Sequence, residues 1–114
     1  MKISKTSDVT KENVNIEGAK DVKVQWLISK KDGAGNFYMR MFQVKQGGNT
    51  PLHSHLHEHE VFIVEGTGVF VCEGKDYNFE SENVIFVPPQ KEHQFKNTGN
   101  SILRFLCIIP AISD

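Results

Sequence analysis

Four of the five histidines in this 114-residue chain, His53, His55, His59 and His93, have the type and spacing for metal chemistry. Three stand in the run His53-Ser54-His55-Leu56-His57-Glu58-His59, and the fourth follows a β-like stretch. Neutral imidazole is the commonest protein ligand for divalent first-row metals. Residues two apart on an extended segment project from one face, so His53 and His55 can meet one ion without backbone strain. A lone histidine reads better as a surface or satisfied core residue; a cluster reads as a site.

The elements that must position these side chains are β throughout. Val22 to Ile28 alternates, and Lys31 to Asn36 reads as a loop. Phe37 to Val44 predicts a strand and Gln46-Gly47-Gly48-Asn49 a turn. Glu60 to Val64, Val69 to Glu73, Tyr77 to Phe79 and Val84 to Val87 predict four more strands, with Gly74-Lys75-Asp76 as a hairpin turn. His93 to Lys96 and Ile102 to Ile109 flank Asn97-Thr98-Gly99-Asn100, which reads as a second hairpin turn. No segment carries a helical period of useful length. Many short strands with regular turns imply an all-β sandwich or barrel. Residues 1–20 are polar, an arm expected to lie over the domain edge or pair with a neighbouring chain. Residues 21–114 are the expected barrel domain.

The chain is long enough for one hydrophobic core, and its net charge of −1 with interspersed acids and bases carries no nucleic-acid or anionic-membrane footprint. Met1-Lys2-Ile3-Ser4-Lys5 has no apolar signal core, which points to the cytoplasm. Cys72 and Cys107 fit neither a CxxC metal motif nor a disulfide framework and read as reduced, buried thiols.

With these residues the chain resembles the cupin superfamily, whose first motif is G(x)5HxH(x)3–4E(x)6G. Gly47, His53, His55 and Gly66 stand at its intervals, with His59 where many cupins have glutamate. Pro88, His93 and Asn97 meet the second motif, G(x)5PxG(x)2H(x)3N, while Glu82 and Gln90 occupy its glycine positions. Met39 to Val44, Glu58-His59-Glu60 and Phe105 to Pro110 are similar to small single-domain manganese cupins of thermophilic bacteria. The resemblance implies a jelly-roll barrel, the double-stranded β-helix. It also implies one divalent ion, manganese, held by His53, His55, His59 and His93. Periodicity alone leaves Glu60 competing with His59, and carry-over from the four-histidine group favours His59. Nitrogen donors by themselves admit iron, nickel, copper, zinc or cobalt. His57 reads as a residue of the pocket rim or one lying just behind the ligands. Ligand histidines must be neutral, so with an ordinary pKa of about 6.5 affinity is expected to fall below roughly pH 6.

Strand parity turns Leu103, Phe105, Cys107 and Ile109 inward, Phe95 with His93, and Arg40 with Phe42 and Val44. An inward arginine needs an anionic or carbonyl partner, either Glu60 or a substrate carboxylate. Together these predict a small, aromatic-lined pocket for a small organic substrate. The leading functional expectation is a metal-dependent oxygenase or oxidoreductase of dioxygenase type. The alternatives are a non-catalytic metal- or ligand-binding cupin and a metal-dependent isomerase or lyase. A homodimer is expected, because an open sandwich leaves edge strands to cover.

Overall fold

Alternating side chains on short segments build a sheet that must curl to bury one face. The computed structural model describes residues 1–111; positions 112–114, the end of the expected barrel domain, lie outside the described residues. Its strands are β1 (Glu12–Asn13), β2 (Lys20–Ile28), β3 (Phe37–Asn49), β4 (His59–Glu65), β5 (Gly68–Cys72), β6 (Lys75–Phe79), β7 (Val84–Val87), β8 (His93–Asn97) and β9 (Leu103–Pro110). They form one antiparallel sheet in the order β6-β5-β8-β3-β9-β4-β7, with β2 and β1 added beside β3. The described helical pieces are two three-residue 3-10 turns, and no described helix is long and apolar enough to cross a membrane. This is the all-β, single-domain architecture expected.

Two turn expectations are corrected. Gln46 to Asn49 is no turn but the end of β3, which bends to pair with β9 through Phe37 to Val44 and with β8 through Asn49. Glycine makes the bend possible: Gly47 sits at φ +81, and a Cβ on Gly48 would meet the Lys20 carbonyl oxygen at 2.5 Å. The segment Asn97 to Asn100 is likewise no hairpin, since β8 pairs with β5 and β3 whereas β9 pairs with β3 and β4. There the Asn97 amide donates to the carbonyls of Val44 and Ser101, tying the corner where the chain changes sides. The hairpin between β5 and β6 turns at Glu73-Gly74, both with positive φ, one step earlier than expected.

The core lies between the two sides of the curl. Phe70, Phe79 and Phe95 from one side meet Ile63, Leu103 and Phe105 from the other. Phe95 and Phe105 stack at 4.4 Å between ring centroids. The N-terminal residues pack on their own chain. The Gln25 amide donates to the carbonyls of Thr6 and Val9, Lys2 to that of Leu27, and β1 pairs along β2.

Candidate metal centre

Two of the histidines are placed by strand ends and two by one loop. His59 opens β4 and His93 opens β8, both buried. The loop carrying His53 and His55 is laced to β8 by reciprocal backbone bonds between His53 and His93, at 3.1 and 2.8 Å. A third tie runs from the Gln90 amide to the His55 carbonyl at 2.6 Å. Gln90 and Glu82, at the two glycine positions of the motif, adopt φ +64 and +72. The backbone takes the left-handed shape without the glycines.

The ring nitrogens converge. Nε2 of His53 and Nε2 of His55 face each other at 3.2 Å. Nδ1 of His93 lies 2.8 Å from the Lys91 carbonyl oxygen, so it carries the proton and leaves Nε2 as a lone pair. Nδ1 of His59 lies 3.1 Å from Cys107 Sγ, while its Nε2 is buried with no hydrogen-bond partner. A buried imidazole nitrogen with no partner costs free energy unless something binds it. Donor chemistry and orphaned lone pair therefore fit a divalent ion, with partners behind His59 and His93 of the kind that fix metal-bound imidazoles.

Two sets of three imidazoles have ligand atoms within 4.8 Å of one another: His53, His55 and His93, and His55, His57 and His59. His57, expected at the rim or just behind the ligands, stands in the second set. Its odd position, shared with His53, His55 and His59, was the available signal. Centroids of His59 and His93 are 5.4 Å apart, but by its ligand atoms His59 joins the set with His57 and not the set with His53 and His93.

Burial holds all five imidazoles neutral. It pulls His53 and His55 down to about 4 and His59 to about 2, with Arg40 adding to the effect, and it lowers His57 and His93 as well. By these directions, protonation of the folded chain competes with metal binding at lower pH than the ordinary imidazole value implies.

Arg40 points inward as expected, but its partner is not Glu60. Glu60 is exposed, turned out by the alternation that buries His59, Val61 and Ile63. Arg40 Nη2 donates to Cys107 Sγ at 3.2 Å, and the guanidinium lies 5.3 Å from the Trp26 ring and 4.9 Å from that of Phe42. Its Nε is buried without a partner, and no described acid forms an ion pair with it. Cys107 is a buried free thiol whose pKa is raised by burial and pulled back by Arg40. Phe95 and Phe105 are stacked and nearly fully buried, with Phe42 on Phe105 at 5.3 Å, so they make a floor rather than an open wall. A surface cleft of about 470 Å³, lined by Leu56, His57, Glu58 and Glu60 on one side and Phe37 and Ile109 among others on the other, adjoins the histidine loop.

Residues 40–109 match the cupin domain family. The oxalate-binding protein of Thermotoga maritima is 33% identical over 112 residues, covering 94% of this chain and 92% of that protein. The structure of a polyketide cyclase from Streptomyces resistomycificus superposes with a TM-score of 0.92 at 34% identity, covering 97% of this chain and 80% of that one. That of a predicted oxalate decarboxylase from T. maritima gives 0.85 at 31% identity, covering 96% and 98%.

Proposed function

This chain belongs to the cupin domain family, and from that premise we propose that it binds one divalent transition metal through His53, His55, His59 and His93 and acts there on a small anionic organic molecule. The observation that supports it is the buried, partnerless Nε2 of His59 beside the facing nitrogens of His53 and His55. Manganese is proposed from the family resemblance, since the donors themselves favour later metals. A bound ion would supply Lewis acidity and, if redox-active, electrons for dioxygen chemistry.

The chain's own residues do the rest. In the tautomer that donates from His59 Nδ1 to Cys107 Sγ, the opposite nitrogen keeps its lone pair facing the site. Arg40 is a permanent cation beside neutral imidazoles with no acid paired to it among the described residues, so a carboxylate or enolate is the ligand that completes the charge. A relative described as oxalate-binding agrees with that chemistry. The phenyl floor keeps water from the far side.

Oxidative turnover of dioxygenase type is our leading reaction. A non-oxidative reaction is the second, favoured by the likeness to a polyketide cyclase. We propose further that two copies associate through the outer face of β4 and β7, where Phe62, Val84 and Phe86 are 40%, 77% and 57% exposed. Light scattering that gave only monomer at every working concentration would reject the dimer.

Elemental analysis of the purified protein comes first. Turnover of alkenes, diketones, catechols and oxalate is then measured with manganese-, iron- and copper-loaded protein, with and without air. Substrate loss matched by oxygen uptake supports the oxidative reading, and equal anaerobic loss replaces it with the second. Ligand binding without turnover in any form leaves a binding cupin.

A further inference from the structure

The family pattern has no use for His57, and the structure gives it one. Its ring stacks on His55 at 4.9 Å with 23° between planes and lies 4.9 Å from His59. It is half-buried between Leu56, 84% exposed, and Glu58, also exposed, and it lines the cleft beside the site. Its ring makes no hydrogen bond among the described residues, so neither nitrogen is committed to a partner. His57 therefore stands between solvent and the partnerless nitrogen of His59.

The two sets of three imidazoles overlap at His55. A neutral imidazole offers one lone pair. Serving two ions at once would require His55 to lose its remaining proton, and two divalent charges would sit side by side. The sets are thus alternatives for one ion. An ion that leaves His55, His57 and His59 for His53, His55 and His93 keeps the His55 nitrogen throughout. It never has to shed its whole hydration shell in one step or cross the site without ligands.

We propose that His57 is a capture ligand: a divalent metal is first held by His55, His57 and His59 at the mouth and then passes to His53, His55, His59 and His93. This rests on the metal centre proposed above. His57 lowers the barrier for both directions of transfer and contributes little to the final affinity.

Stopped-flow loading of metal-free protein with Co²⁺, followed through the cobalt d–d absorption, and release into excess EDTA test it. Wild type is compared with His57→Ala, and with His57→Phe, which keeps a flat ring against His55 but no nitrogen. His53→Ala is the control for the inner set. We expect both His57 variants to load and release about tenfold more slowly, the scale of losses around metal ligands. Equilibrium affinity should stay within about twofold, with one ion per chain, because the final ligand set is intact. His53→Ala should instead lose equilibrium affinity. Unchanged rates in both His57 variants overturn the proposal. So does a large loss of affinity at unchanged loading rate, which would make His57 a permanent ligand, and so does uptake of two ions. A wild-type chain that took up no metal, with no loss in His53→Ala, would reject the metal centre itself and the capture role with it.

Discussion

Two regions stand one step apart along the same strands, and they are built to opposite ends. On β8, His93 is followed two residues later by Phe95; on β9, Cys107 is preceded by Phe105; on β3, Arg40 is followed by Phe42. Two residues along a strand are about 7 Å on the same face. Within that distance the lining changes from imidazole, thiol and guanidinium to stacked phenyl rings. The phenyl layer is closed, with Phe105 1% and Phe95 5% exposed. The imidazole layer is neutral, converging and short of hydrogen-bond partners. The fold's stability thus resides one layer below its chemistry, and the two should respond separately to substitution.

The largest effect should come from breaking the closed layer. Phe105→Ala removes the ring that Phe42 and Phe95 stack on. It is expected to cost about 3–5 kcal/mol of metal-free stability, as for large aromatic deletions in cores. Urea melts would show it, and a loss below about 1 kcal/mol would mean the layer collapses freely or is not the support. His55→Ala should do the reverse. Metal affinity falls at least about tenfold, while metal-free stability changes by less than about 1 kcal/mol. Equal stability losses in the two variants would erase the distinction.

Acid should separate the regions further. Folded His53 and His55 titrate near 4 and His59 lower still, whereas the unfolded chain takes up protons near the ordinary 6.5. Between those values the unfolded state holds more protons, so metal-free stability is full above about pH 6.5 and declines as pH falls toward 4. The native site stays unprotonated through most of that window, so metal affinity measured on folded protein should hold at pH 5 and fail near pH 4. The phenyl layer has nothing to titrate. Phe105→Ala should therefore lower the stability curve by a constant amount at every pH, and His55→Ala should flatten its acid limb. Affinity already lost at pH 5 would show that the imidazoles are not held low.

What sequence made legible follows the same division. Alternation located the inward sets on β8 and β9 because each strand keeps a strict two-residue period against a buried face. It failed where the period breaks: β3 bends through Gly47 and Gly48, and residues that spell a turn run on as strand to Asn49. It also failed where pairing is decided at long range. Asn97 to Asn100 has hairpin composition, but the corner it makes depends on Val44, more than fifty positions away. At the site, His53, His55 and His93 were readable from motif spacing. His57 was legible only through its odd position, and of the two partners weighed for Arg40, Glu60 lies exposed on β4.

The smallest effect concerns two matched turns, one behind each region. Glu82 donates its amide to the Ile63 carbonyl behind the closed layer, and Gln90 donates its own to His55 at the metal site. Both are exposed and both hold φ in the left-handed region, +72 and +64. An L side chain there costs roughly 1–2 kcal/mol, and glycine returns about 0.5–1 kcal/mol of that through its freer unfolded chain. Glu82→Gly and Gln90→Gly should therefore each stabilise the protein by roughly 0.5–1 kcal/mol, read as a raised urea midpoint at unchanged slope. Metal affinity should not move in Glu82→Gly, whose turn is remote from the imidazoles. In Gln90→Gly it should also hold, because the bond to the His55 carbonyl comes from the backbone. A drop confined to Gln90→Gly would mean that the strained side chain itself stiffens the mouth, and that the imidazole layer draws on local rigidity the phenyl layer does not need.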